Sequence, residues 1–101
     1  MKVFKYPVQP GEFSLELPVG AEPLSVQVQA GVAQMWVLLE PKGRFDDTRN
    51  FLCVGTGHQI DYSRYRLKFI GTFQIEWMVF HLFEVLSPMR KVEILPVDLI
   101  A

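Results

Sequence analysis

The sequence has a single cysteine, Cys53, in 101 residues. One thiol excludes an intrachain disulfide framework and a zinc site built on several cysteines, and it suits a reducing compartment. Long hydrophobic runs are missing too. The longest, Trp77 to Phe83, is interrupted by His81, whereas a membrane-spanning helix needs ~20 apolar residues. The opening Met1-Lys2-Val3-Phe4-Lys5-Tyr6-Pro7 lacks the apolar stretch of ~7–15 residues that marks a secretory signal. Nor does one sign of charge dominate. Ten Lys and Arg stand against eleven Asp and Glu, for a net charge of −1, so no overall field draws the chain to nucleic acid or to an anionic membrane. These absences describe a soluble protein of the cytoplasm.

What is present is apolar and patterned. Half of the residues are hydrophobic and 21% are charged, enough apolar surface to offset chain entropy in one folded unit over residues 1–101. The dominant period is two, the signature of strands with one wet face. Glu12 to Leu17 alternates, and so does Leu24 to Ala30, with Ser25, Gln27 and Gln29 opposite Leu24, Val26 and Val28. Pro18 to Pro23 punctuates the two. Ala30-Gly31 reads as a tight turn into Val32 to Leu39, where Met35, Val37 and Leu39 share a face, so the pair forms a hairpin. Pro41 to Asp47 is a breaker-rich loop, Asn50 to Gly55 a short strand, and Arg64 to Gln74 a strand interrupted by Gly71.

Ile75 to Leu86 admits a helix by length. Its content of Trp77, Val79, Phe80 and Phe83, bracketed by Gly71 and Pro88, favours a strand covered on both faces. Arg90 to Leu95 alternates once more. Residues 86–101 read as a C-terminal extension that serves as an edge strand or an oligomerisation arm, because its apolar residues have no obvious cover within one chain. Seven to eight short strands with little or no helix predict an all-β fold, an antiparallel β-sandwich or small barrel.

Chemistry-bearing residues are few. Cys53 and His58 would sit roughly 16 Å apart on extended backbone, too far for a nucleophile and its base; a buried Cys53 acting as a small hydrophobe is the expectation. His58, Asp61 and His81 show no metal-ligand spacing, and His81 reads as a core histidine satisfied by a backbone carbonyl. Glu76 and Glu84 read as outward or terminal strand positions, so no acid–base pair of carboxylates forms. No catalytic set, metal or cofactor is expected.

Two segments suit a ligand. Gly55-Thr56-Gly57-His58 is a glycine turn that could offer a nest of backbone N–H groups to an anion, though it lacks the further glycine, lysine and following helix of phosphate-binding loops. Tyr62 to Lys68 is the one basic, aromatic-interleaved patch, with Arg64, Arg66 and Lys68 expected on one strand face. A solvated turn and a solvated edge are the plainer readings of both.

Several segments in order carry a resemblance. Val3-Phe4-Lys5-Tyr6-Pro7, Glu12 to Ala21, Leu24 to Gln29, Gln34 to Leu38, Gly55 to His58, Phe69 to Gln74 and Val79 to Glu84 together resemble a family of small phage and prophage proteins of no assigned activity. The resemblance covers roughly residues 3–84, and the tail from Val85 to Ala101 departs from it. It implies a phage setting and hence action inside a bacterial host. The leading expectation is a non-enzymatic interaction module that modulates a host factor, in defence evasion or takeover. A sponge for a nucleotide or other anionic metabolite and a virion or assembly accessory are the alternatives. Self-association as a homo-oligomer is expected, with no membrane or nucleic-acid partner.

Overall fold

The computed structural model describes residues 1–61 and 63–88. Seven strands follow one another: β1 (Lys2–Pro7), β2 (Gly11–Leu17), β3 (Glu22–Gln29), β4 (Val32–Leu39), β5 (Asp47–Gly55), β6 (Tyr65–Ile75) and β7 (Met78–Pro88). Every pairing is antiparallel. The strands form a three-stranded sheet in the order β1-β4-β3 and a four-stranded sheet in the order β2-β5-β7-β6. This is the all-β sandwich that the period of two predicts, with no helix among the described residues. The expected strand over Arg90 to Leu95 lies outside them, and residues 86–88 of the expected extension belong to β7.

The alternation translates directly into the core. From β4, Ala33, Met35, Val37 and Leu39 face inward; across the gap stand Phe13 and Leu17 of β2, Phe51 and Cys53 of β5, Phe73 of β6 and Leu82 of β7. Phe13 stacks on Phe51 with ring centroids 5.3 Å apart. The β3–β4 turn has both Ala30 (φ 53°) and Gly31 (φ 80°) in the left-handed region, as a two-residue hairpin turn of matching twist requires. Gly71 sits at a register shift between Phe69 and Gly71. A side chain there would lie 2.8 Å from Val26 Cγ1, so the glycine lets β6 close against β3 where the two sheets meet.

β1 is a strand although its Lys2-Val3-Phe4-Lys5-Tyr6 shows no alternation of polarity, and two expectations need correction. The segment from Ile75 to Leu86 is not one strand, because Glu76 and Trp77 form the turn joining β6 to β7, with Ile75 opposite Met78. Nor is Trp77 to Phe83 covered on both faces. Phe80 and Leu82 face the core, His81 and Phe83 face outward and are half-buried, and Trp77 is 79% exposed.

The outer face of the four-stranded sheet has its own cover. β5 and β6 run in the same direction with β7 between them, so residues 56–64 must travel the length of the sheet to connect them. Leu52 and Val85, outward-facing, are nonetheless buried, and Ile60 lies with Val54, His81 and Phe83 in a small outer cleft.

Candidate functional site

Four connections gather at one end of the sandwich: Val8–Pro10, Ala30–Gly31, Gly55–His58 and Glu76–Trp77. Between the sheets there, a cavity of about 230 Å³ is walled by Val8, Pro10, Val32, Cys53, Phe73 and Phe80, among others. On its outer side a broader cleft of about 510 Å³ runs between Gly55, Thr56 and His58 on one bank and Trp77 and Met78 on the other. Glu76 is the only charged residue in these four connections.

The glycine turn is internally wired. Gly55 N donates to His58 Nδ1 at 3.1 Å, Thr56 N to Val79 O at 2.9 Å, and His58 N to Gly55 O at 3.1 Å. Three of the four amides offered for an anion nest are therefore engaged within the protein. Gly57 takes φ 92°, a conformation few other residues tolerate. His81 is not a core histidine bonded to a carbonyl. Its Nε2 lies 2.7 Å from Thr56 Oγ1 and its Nδ1 3.0 Å from Thr72 Oγ1. A neutral imidazole has one donor and one acceptor, so one hydroxyl donates and the other accepts. This clamp ties the turn to β6 and β7. With both ring nitrogens on hydroxyls, no carboxylate orients the ring as it does in a Ser-His-Asp set.

The basic residues lie elsewhere. Gly55 is opposite Phe80 on β7 and Arg66 is opposite Ser87; seven residues of strand separate the two levels, roughly 23 Å at ~3.3 Å per residue. The glycine turn and the cations therefore do not form one site. Arg66 and Lys68 do share a face of β6: the register shift between Arg66 and Leu67 skips Leu86 on β7, so the alternation along β6 is unbroken and both residues are exposed. Arg64 precedes the strand, its amide donating to Asp61 O at 3.0 Å. Tyr65 reaches across the outer face to donate its hydroxyl to Glu12, and this bond to a carboxylate raises its pKa. Tyr62 is outside the described residues.

Cys53 is a core residue, as expected, and burial pushes its thiol pKa upward. It faces the end cavity, while the imidazole of His58 is bonded within its own turn. Among the described residues no group of three or more His, Cys, Asp or Glu side chains gathers as a metal site, and no helix is long and apolar enough to cross a membrane.

Two features escaped the sequence reading. Glu84, read as an outward position, is 4% exposed and takes a forked bond from Arg49, with Nε at 2.5 Å and Nη2 at 3.1 Å. Arg49 Nη1 also donates to Ala21 O at 2.9 Å, pinning the β2–β3 turn, and the bond to Glu84 raises the arginine's pKa. The signal was available: Arg49 shares the phase of Phe51 and Cys53, and Glu84 that of Phe80 and Leu82, so period two turns both inward. The second is Trp77 at the tip of a turn. Glu76 takes φ 56° to make it, and Gln74 Nε2 donates to Glu76 O at 2.8 Å across it. The alternation from Thr72 to Trp77 breaks at Met78-Val79, which marks the change of phase.

Fold and surface thus define a small antiparallel β-sandwich with a turn-built end that carries a single charged residue, Glu76. Residues 1–91 match the family model of a domain of unknown function, DUF7352, and the chain belongs to that family. No curated protein and no solved structure matches it.

Proposed function

We propose that the chain is a non-enzymatic interaction module, of the phage type its ordered segments resemble, which works in the cytoplasm of a bacterial host by seating a host protein on its turn-built end. The observation that carries the reading is Trp77. A large aromatic is held 79% exposed on a two-residue turn whose Glu76 adopts a positive φ, a conformation that costs a non-glycine residue about 1–3 kcal/mol. Tryptophan is enriched among the residues that dominate binding energy at protein interfaces. Met78 is exposed next to it and Val32 at the same end, where Glu76 is the only charged residue of the four connections.

The sponge for a nucleotide or anionic metabolite is less well supported. Arg66 stands roughly 23 Å and Lys68 roughly 13 Å along the sheet from the glycine turn, and most of that turn's amides are occupied.

The test is capture. Immobilised protein in host lysate should retain a stoichiometric partner, and Trp77→Ala should lose it at least tenfold while melting at the same temperature, because the side chain supports no core packing. Equal retention by the variant would remove the turn end from the account.

A further inference from the structure

We propose that β1 is a self-association edge, on which two copies of this chain pair strand to strand across a two-fold axis at Phe4. This inference uses a surface separate from the turn-built end and does not depend on it.

The backbone decides which groups are free. Val8 N donates to Ala33 O at 2.9 Å, continuing the β1–β4 register in which Pro7 faces Gln34 and Tyr6 faces Met35. In an antiparallel ladder, alternate residues direct both N–H and C=O to the same neighbour. Lys2, Phe4 and Tyr6 therefore bond to β4, and Val3, Lys5 and Pro7 direct their groups outward. β1 pairs with no other strand among the described residues. Pro7 fits its outward position, where the missing N–H breaks no ladder bond.

The usual guard of such an edge is displaced. Lysines discourage edge pairing when they project beyond the sheet. Lys5 Nζ is instead drawn back across the outer face of its own sheet to Gln29 Oε1 on β3, at 2.6 Å. Beside it Val3 is 53% exposed and Phe4 40%. Phe4 has the parity of the core, opposite fully buried Val37, yet remains uncovered at the sheet margin.

One register satisfies all of this. With Val3 opposite the partner's Lys5, both outward residues exchange N–H···O=C bonds, giving four across the axis. Phe4 then meets its own copy in a non-hydrogen-bonded pair, the closer of the two spacings. Lys2 falls opposite Tyr6, and no like charges are opposed. Sliding by two residues one way sets Lys5 on Lys5; the other way leaves only Val3 on Val3 with full bonding. The product is a six-stranded sheet, β3-β4-β1-β1-β4-β3. Its contact is narrower than the ~1,200–2,000 Å² of a standard interface, so the dimer is concentration-dependent and not obligate.

Sedimentation of the full chain over a concentration series tests the proposal. The wild type should shift from monomer to dimer. Val3→Lys, which sets lysine against the partner's Lys5, should weaken the dimer, and Val3→Glu should tighten it, each by about two- to thirty-fold through two symmetry-related pairs. High salt should erase the gain. Lys5→Pro, which removes an outward N–H and no β4 bond, should abolish dimerisation with the circular dichroism of the monomer unchanged. A wild type that stays monomeric throughout, or Val3→Lys and Val3→Glu variants with equal dissociation constants, overturns it. Loss of dimer in Trp77→Ala with none in Lys5→Pro also overturns it, by moving the contact to the turn-built end.

Discussion

The two ends of the sandwich handle charge in opposite ways. At the turn-built end, four short connections carry Glu76 as their only charged residue, and Trp77, Met78 and Val32 stand exposed. The opposite end holds the Arg44–Asp46 pair at 3.3 Å, the Asp61 cap on Ser63 and the exposed Arg64 and Arg66. The inward Arg49–Glu84 fork reaches from the sheet to Ala21 there. Under the proposed function, the difference separates stability from recognition. Buried charge must be paired or the fold suffers, so the charged end is bound to the protein's integrity. The turn-built end has no buried ion pair among its described residues, and under the proposed function that leaves its exposed side chains free to serve a partner.

The largest expected effect breaks the charged end. Glu84→Ala leaves Arg49 facing a buried gap and should cost about 3 kcal/mol, read as a lower urea midpoint at unchanged slope. Replacing both residues by leucine should recover much of that loss, since an apolar pair of similar volume removes the desolvation penalty. Next is Gly71→Ala, which drives a methyl into Val26 and should lower stability by about 1–3 kcal/mol. The triple variant Arg64→Ala, Arg66→Ala, Lys68→Ala should stay within about 0.5 kcal/mol per site, because these exposed cations support no packing.

A fourth expectation concerns Cys53, on the wall of the end cavity. Burial raises its pKa, so the reactive thiolate is scarce at neutral pH. Alkylation by iodoacetamide should be slow in the native protein and fast in urea. Quick labelling of folded protein would mean that the turn-built end opens.

Much of the fold was legible because burial on one face imprints a period of two. That rule placed β2, β3 and β4, and it placed Met35, Val37 and Leu39 inward. It failed on β1, where one face lies over the margin of the core, so Lys2 and Phe4 share a parity without sharing a polarity. It failed again at Glu76-Trp77, because a turn normally announced by glycine, asparagine or proline is here made by a glutamate at positive φ. The Arg49–Glu84 pair was hidden by habit: charged residues are expected outward, although their phase turned both inward. Of the candidate site, the glycine turn lies where the sequence indicated. The cations lie apart from it, because the relation between β5 and β6 is set by β7 between them and leaves no local trace.

The most direct measurement compares partner retention from host lysate by the wild type, by Trp77→Ala and by the triple variant of Arg64, Arg66 and Lys68, all verified as folded. The account predicts retention by the wild type and the triple variant, and loss with Trp77→Ala. Loss in the triple variant with retention by Trp77→Ala would contradict it and move recognition to the charged end.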